Sequence, residues 1–196
     1  MKLVLATTSA HKLREMGELA RAHGLALELV GRGDFPGAPE VVEDGETFAD
    51  NARKKAVALA AFTKLPALAD DSGICVDALG GAPGVHSARW AAGTDEDRTQ
   101  ALLEKLRGVA PEKRAAHYAC ALCLAIPGGP TVEVEGRCEG RITDAPRGQG
   151  GFGYDPVFEL EDGRTFAQVS AAEKNARSHR ANAFALMAPH LRELAK

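Results

Sequence analysis

Three short polar segments carry residue types that could do chemistry, and the first is residues 7–12. Two threonines, a serine and Lys12 lie there between an apolar run and a helical pattern. Backbone N–H groups at a helix start have no partner within the helix, and the helix dipole favours an anion there. The segment therefore predicts an anion site. A helix cap at Thr8 or Ser9 with a solvated Lys12 explains the same residues.

The second segment is an acidic pair, Asp70 and Asp71, that directly follows the apolar residues 66–69. Acidic groups at a strand end are well placed for metal and phosphate chemistry. Because adjacent strand residues point to opposite faces, one carboxylate is expected to face a site and the other to support it. Glu43 and Asp50 are further candidates for a Mg²⁺ ion that keeps several waters. A solvated Asp-Ser-Gly turn is the alternative.

The third segment combines a glycine loop, residues 150–156, with the polar start of the last predicted helix, residues 173–180. Glycines beside Phe152 and Tyr154 allow a backbone to approach a planar ligand on which an aromatic ring stacks. Lys174 and its neighbouring cations lie near the predicted helix start, against the dipole, which costs stability unless an anion is bound. An ordinary solvated helix face is the alternative.

Hydrophobic periodicity and turn residues predict the elements that position these segments. Short strands alternate with helices, and a turn at residues 127–130 joins two strands as a hairpin. This pattern favours an α/β or α+β fold around a mixed sheet. The predicted strands cover residues 2–6, 66–69, 74–78, 117–126 and 131–138 with a short one after 156, and the helices begin near residues 9, 47, 94 and 170.

Composition limits the classes of protein to which the chain can belong. Its 196 residues are 45% hydrophobic and 26% charged, which excludes disorder and a coiled-coil rod and favours one compact domain. A net charge of −3 offers no electrostatic surface for nucleic acid or an anionic membrane. The first apolar run is too short for a signal peptide, so we expect a cytoplasmic protein with four reduced, buried cysteines.

At these same residues the sequence resembles the inosine triphosphate pyrophosphatase family, whose members remove dITP, ITP and XTP from the nucleotide pool. The matching segments follow the family's order and span nearly the whole chain. They are residues 5–12, 45–56, 69–73, 79–84, 87–89, 150–156, 173–174 and 178–180.

The resemblance implies a fold, a reaction and an assembly. The fold would be α/β, a bilobed single domain over residues 1–196 with a long mixed β-sheet flanked by helices and a nucleotide cleft between the lobes. The reaction would be Mg²⁺-dependent hydrolysis of a nucleoside triphosphate to the monophosphate and pyrophosphate. A homodimer is implied as well, with no nucleic-acid or membrane partner.

The resemblance also implies roles for single residues. Asp71 would be the catalytic acid that holds Mg²⁺ and acts as general base, with Glu43 as the second metal candidate and Asp70 as the alternative to Glu43. Backbone N–H groups of the glycine loop and the pair His179 and Arg180 would donate to O6 of a 6-oxo purine. The substrate-binding positions are Thr7, Thr8, Ser9, Ala10, His11, Lys12, Ser72, Phe152, Gly153, Tyr154, Asp155, Lys174, His179 and Arg180.

Two positions depart from the family pattern, and two other classes of function stay open. Ser9 stands where the family usually has asparagine, and Asp50 stands where it has glutamate. A phosphatase with an aspartyl nucleophile would also place an acid after a strand, although the D-x-D spacing is missing. A non-catalytic nucleotide-binding module would keep the binding residues without turnover.

Overall fold

Six strands and five α-helices build the protein, whose computed structural model describes residues 1–196. The strands are β1 (Lys2–Leu5), β2 (Glu28–Gly31), β3 (Ala67–Val76), β4 (Ala115–Ala125), β5 (Thr131–Ile142) and β6 (Phe158–Glu159). The helices are α1 (Ala10–Ala22), α2 (Phe48–Thr63), α3 (Asp95–Lys105), α4 (Ala171–Arg177) and α5 (His179–Leu194). No helix combines the length and apolarity needed to span a lipid bilayer.

The strands form one mixed sheet in the order β2-β1-β3-β4-β5-β6. β1 pairs in parallel with both β2 and β3, whereas β5 and β6 pair antiparallel. Parallel pairing requires crossover connections, which α1 supplies between β1 and β2. The predicted α/β class with a mixed sheet and flanking helices is confirmed.

The chain divides into two compact units, and the first comprises Met1–Asp71, Cys120–Gly136 and Arg180–Lys196. Its core is mainly aliphatic, as the composition predicts. Leu3 of β1, Met16 of α1 and Met187 of α5 are each at most 3% exposed and belong to one apolar cluster. This cluster holds β1 and α1 in place, and residues 7–12 form the junction between these two elements.

The second unit comprises Ser72–Ala119 and Arg137–His179, and its core is richer in aromatic residues. Tyr118, Phe158 and Phe166 pack against one another with ring centroids 4.7–5.9 Å apart. Aromatic pairs at such separations add stabilisation beyond the area they bury. Most of the chain's few aromatic rings are therefore gathered in this unit.

Hydroxyl caps begin four of the helices, as the sequence predicts. Ser9, Thr47, Thr94 and Ser170 each accept a hydrogen bond from the backbone N–H three residues further on. These bonds satisfy N–H groups that the helix itself leaves without a partner. The cap interpretation of Ser9 is thereby confirmed.

The prediction that a strand ends at the acidic pair is wrong, and so is the alternative of a turn, because β3 runs without interruption from Ala67 to Val76. Asp70 and Asp71 lie inside the strand rather than at its end. Their alternation is as expected, with Asp70 buried at 6% exposure and Asp71 half-buried on the other face. The strand continues through two carboxylates because each finds polar partners, which are described with the site below.

The prediction of one continuous last helix is also wrong. Ser178 adopts an extended backbone (φ −70°, ψ 157°) that separates α4 from α5. Lys174 and Arg177 consequently lie in the last turn of α4, where the helix dipole favours cations. The argument that these cations oppose a dipole therefore does not hold.

The sequence did not predict β2. The strand ends at Gly31, and the loop predicted for residues 31–39 follows it, with a short 3-10 turn at Arg32–Asp34. With only four residues and a glutamate at its start, β2 carries too weak an alternation pattern to stand out.

All four cysteines are free thiols, and three of them are buried as predicted, with Cys75 only half-buried. Burial raises the pKa of Cys120 to about 12. The thiol therefore stays protonated near neutral pH and packs as a small apolar group.

Gly140 of β5 marks a close approach to β6. A methyl group there would lie 2.5 Å from the Glu159 carbonyl oxygen and 2.6 Å from Cζ of Phe158. We expect Gly140→Ala to lower the free energy of unfolding by about 1–3 kcal/mol through overpacking, measured by urea denaturation. Gly33→Ala is the control, since no atom lies within 4 Å of its added methyl group. Equal stability of the two variants would contradict this packing.

Candidate active site

Asp71 is held by two residues of α2. Its Oδ2 accepts a 2.9 Å hydrogen bond from Nδ2 of Asn51, and its Oδ1 lies 3.7 Å from Nζ of Lys55. Oδ1 of the fully buried Asn51 accepts the Gly45 N–H at 2.8 Å, which fixes the orientation of the amide. The carboxylate is thus oriented by one neutral donor and one cation.

The environment raises the pKa of Asp71 above its ordinary value. Burial is the largest cause, and the negative charges of Glu43 and Asp70 add to it, while Lys55 and Asn51 oppose the shift. A carboxylate with a raised pKa is a stronger base than one in water. This property suits a group that removes a proton from water.

Glu43 and Asp71 approach the same ammonium group. Nζ of Lys55 lies 3.0 Å from Oε2 of Glu43 and 3.7 Å from Oδ1 of Asp71. Two carboxylates near one cation are hard oxygen donors of the kind that Mg²⁺ prefers. No third acidic, histidine or cysteine side chain completes a metal-binding group. The pair fits Mg²⁺ because this ion takes one or two carboxylates and completes its shell with waters and phosphate oxygens.

Asp70 belongs to a buried charge network that also includes Lys12, Arg180 and Glu15. Its Oδ2 lies 2.8 Å from Nζ of Lys12 and 3.1 Å from Nη2 of Arg180. The other guanidinium nitrogen of Arg180 binds Glu15 at 2.8 Å. Burial opposes ionisation of Asp70, but the two cations outweigh it and hold its pKa well below the usual range. Two acids and two bases leave this network electrically neutral.

Residues 7–12 form the junction between β1 and α1, and part of this segment lines a cavity of about 230 Å³. Oγ1 of Thr7 accepts the Ser9 N–H at 3.1 Å, while Ala10 and His11 are exposed in the first turn of α1. The alternative of a solvated Lys12 is wrong, because the ammonium group of Lys12 forms an ion pair with Asp70. The cavity is lined by Thr7, Thr8, Lys12, Arg32, Glu43 and Lys55, among others.

In the second unit the glycine loop exposes one aromatic ring, that of Phe152, at 41%. The buried carboxylate of Asp155 accepts the Phe152 N–H at 2.9 Å and also binds the ammonium group of Lys174. That ammonium lies 4.3 Å from the centroid of the Phe152 ring, a cation–π contact. Asp155 therefore joins Lys174 and Phe152 into one group.

Gly153 is held by α3, an element that the sequence did not connect with the site. Its N–H donates to Oδ2 of Asp95 at 2.8 Å, and its carbonyl accepts a 3.3 Å hydrogen bond from Thr99. Asp95 is the first residue of α3, and the predicted cap at Thr94 locates this helix start in the sequence. The sequence gives no sign that Asp95 binds the glycine loop.

Tyr154 does not share the exposure of Phe152, and the expectation that its ring stays outside the core is wrong. The side chain is 4% exposed, belongs to the apolar cluster of the second unit and donates from its hydroxyl to the Ser87 carbonyl at 2.8 Å. Gly153 between them has a φ of 60°, so the chain turns there and the two side chains take different directions. Tyr154 anchors the loop from within the core.

His179 and Ser72 complete the predicted residues of the second unit. His179, the first residue of α5, is 5% exposed and its imidazole stacks on the ring of Tyr118. Ser72 follows Asp71 in β3 and is half-buried.

Sequence reasoning left Asn51, Lys55 and Glu15 out of the site. The signal for the first two is their spacing of four residues, which places both on one face of α2. Glu15 follows Lys12 by three residues in α1 in the same way. No local pattern indicates that Arg180, 165 positions after Glu15, is its partner.

An α/β sheet with a held, half-buried acid beside a cationic cavity is typical of nucleotide-handling hydrolases, and the comparisons narrow this class. The chain belongs to the Ham1 family, whose model matches residues 3–190. It is 52% identical over 184 residues to a dITP/XTP pyrophosphatase of Symbiobacterium thermophilum, covering 94% of this chain and 91% of that protein. A dITP/XTP pyrophosphatase of Streptomyces coelicolor is 50% identical, with 98% of each chain covered.

Solved structures agree with this assignment. A HAM1 protein from Coxiella burnetii superposes with a TM-score of 0.90 at 40% identity, covering 98% of this chain and 99% of that one. The Staphylococcus aureus Ham1 protein superposes with a TM-score of 0.89 at 33% identity and full coverage of both chains. The similarity to these two structures therefore extends over nearly all residues of this chain.

The pKa of Asp71 provides a test of the site's electrostatics. We expect Lys55→Met to raise this pKa further, because the nearest cation that favours the carboxylate is lost. The carboxylate would then be protonated at a higher pH than in the unchanged protein. Carbon-13 NMR titration of the Asp71 carboxyl, assigned with Asp71→Asn, measures the shift.

Lys54→Met is the matched control for this titration. Lys54 is the preceding residue of α2, but it is exposed and binds Asp44 instead. An equal shift in both variants would mean that Lys55 acts only through overall charge.

Proposed function

We propose that the protein hydrolyses nonstandard purine nucleoside triphosphates, dITP, ITP or XTP, to the nucleoside monophosphate and pyrophosphate. The observation that carries this proposal is the Asp71 carboxylate, oriented by Asn51 and Lys55 and made more basic by its surroundings. The names of relatives about 50% identical over nearly their whole length support the choice of substrate.

In this proposal Asp71 takes a proton from a water molecule as the water oxygen attacks the α-phosphorus. The bond between the α-phosphorus and the bridging oxygen of the β-phosphate breaks, and pyrophosphate leaves. A base with a raised pKa accepts this proton more readily at neutral pH than an ordinary aspartate does. Asn51 keeps the carboxylate in place through its fixed amide.

Residues 7–12 and Lys12 in particular would hold the outer phosphates. The cavity they line also contains the cations Arg32 and Lys55. Donors placed where the pyrophosphate charge develops would favour cleavage at the α-phosphorus over loss of the terminal phosphate. Glu43 and Asp71 would hold Mg²⁺, which when bound neutralises charge on the phosphate oxygens.

Base recognition would combine the exposed Phe152 ring with a small number of donors. The loop N–H groups of Gly150, Phe152 and Gly153 already donate to Ala167, Asp155 and Asp95. These three N–H groups therefore already have acceptors within the protein and are not the donors to O6 of the purine in this proposal. Side-chain donors such as His179 have to supply that contact in the proposal. Discrimination against the amino group of adenine by such a donor can reach about 10⁴-fold.

Dependence on Mg²⁺, a homodimer and a cytoplasmic location belong to the same proposal. They follow from the family resemblance and from the chemistry of the Glu43 and Asp71 pair, and each stays a prediction. The single domain over residues 1–196 likewise stays a prediction.

A substrate panel tests the reaction. With Mg²⁺ present, we expect pyrophosphate release from dITP, ITP or XTP to exceed orthophosphate release greatly. Asp71→Asn should lower kcat by roughly 10²-fold or more, because the base is lost while the asparagine keeps the shape. A coupled pyrophosphate assay and a phosphate assay on the same samples measure both products.

Asp77→Asn is the matched control, since it makes the same change at an exposed position six residues further along the chain. Near-normal turnover in Asp71→Asn would remove Asp71 from the mechanism. Dominant orthophosphate release with a trapped phosphoenzyme would favour an aspartyl phosphatase. Binding of ITP without any product would favour a non-catalytic module.

The Phe152 ring is expected to act mainly in binding. Phe152→Ala should raise KM, since about 1–3 kcal/mol of stacking on the base is lost, while kcat changes much less. Initial rates over a range of dITP concentrations separate the two constants.

Phe62→Ala provides the comparison, because Phe62 lies on α2 and is exposed to a similar extent, 45% against 41%. It should leave KM unchanged. An unaltered KM in Phe152→Ala would rule out the ring as the base-stacking group.

A further inference from the structure

Tyr118 of β4 is a buried residue whose ring lies against His179. The two rings are stacked, with centroids 4.7 Å apart and an angle of 11° between their planes. Tyr118 is 7% exposed and His179 is 5% exposed. Both rings are therefore held by the packing of the protein interior.

The other sides of the Tyr118 ring are filled by aromatic neighbours. Phe158 meets it edge-on, with centroids 4.7 Å apart at 61°, and Phe166 lies 5.9 Å away at 40°. Both phenylalanines are at most 1% exposed. Since close packing leaves the tyrosine no space to tilt, its face is a rigid surface for the imidazole.

The backbone restricts His179 from a second direction. His179 begins α5 directly after the extended, buried Ser178. The helix start sets the position of its Cα, and the stack sets the plane of its ring. Together they determine the direction in which the imidazole nitrogens point.

The Tyr118 hydroxyl adds a weaker link to the glycine loop. It lies 3.5 Å from Oδ1 of Asp155, at the limit of a hydrogen bond. Burial, followed by the negative charge of Asp155, raises the pKa of Tyr118 well above its ordinary value. The hydroxyl therefore keeps its proton, and the tyrosine adds no negative charge beside His179.

We propose that Tyr118 is a positioning residue for purine selectivity, which acts by fixing the plane in which His179 presents its N–H donor to the base. This inference rests on the proposed function. Tyr118 itself needs no contact with the substrate. Its ring, rather than its hydroxyl, carries the role, because the stack is close and the hydroxyl contact is long.

Two substitutions separate the ring from the hydroxyl. Tyr118→Leu removes the stacking face, so the ratio of kcat/KM for dITP to that for dATP should fall by about 3- to 10-fold. Tyr118→Phe keeps the face, so this ratio should stay within about twofold of the unchanged protein. Steady-state rates with both nucleotides give the ratio.

NMR of the imidazole tests the stack without reference to activity. The His179 ring protons should resonate upfield because of the Tyr118 ring current, and they can be assigned from their loss in His179→Asn. The upfield position should persist in Tyr118→Phe and disappear in Tyr118→Leu.

Phe184→Leu is the control for loss of a buried aromatic ring. Phe184 is 1% exposed in the other apolar cluster, so its loss should reduce stability without changing the dITP to dATP ratio. An unchanged ratio in Tyr118→Leu, or an equal loss in Tyr118→Phe, would overturn the inference. Absence of pyrophosphate release by the unchanged protein would instead overturn the proposed function, and the NMR result would still report on the stack.

Discussion

A buried carboxylate, Asp70, sets the constraint on which the first unit depends. An ionised acid at 6% exposure is strongly destabilising unless cations and hydrogen bonds compensate its lost hydration. Lys12 of α1 and Arg180 of α5 supply that compensation at 2.8 and 3.1 Å. β3 can therefore run through two consecutive acids. Strand alternation then places Asp71 on the opposite face.

The same arrangement shifts the pKa values of the two adjacent aspartates in opposite directions. Lys12 and Arg180 hold the pKa of Asp70 far below its ordinary value, whereas burial and neighbouring negative charges raise the pKa of Asp71. Carboxyl groups whose pKa values are pushed apart are suited to different tasks, one structural and one catalytic. Lys12 is the most exposed member of the network at 29%, against 1% for Arg180. If Lys12 turns toward a phosphate, Arg180 remains paired with Asp70 at 3.1 Å.

Local patterns in the sequence predicted the features that depend on near neighbours. The helix starts at Ser9, Thr47, Thr94 and Ser170 follow from a hydroxyl and its spacing to the next turn, and all are confirmed. The unbroken β3 could not be predicted, because its Asp-Ser-Gly sequence is typical of a turn and the residues that outweigh this signal are distant in the chain. The break at Ser178 has the same origin. A capping box and good helix formers indicate continuation, while packing of His179 on Tyr118 and pairing of Arg180 with Glu15 require a change of direction.

In the second unit, too, a buried acid paired with a cation holds the polar and aromatic side chains in place. Asp155, 2% exposed, binds Lys174 and the Phe152 N–H, and so fixes a loop that would otherwise be free to move around its glycines. In each unit a buried acid paired with a helix cation also holds a more exposed side chain, Lys12 or Phe152. Because the exposed groups are held by the buried ones, the geometry of each group is determined within the core of its own unit rather than at the surface.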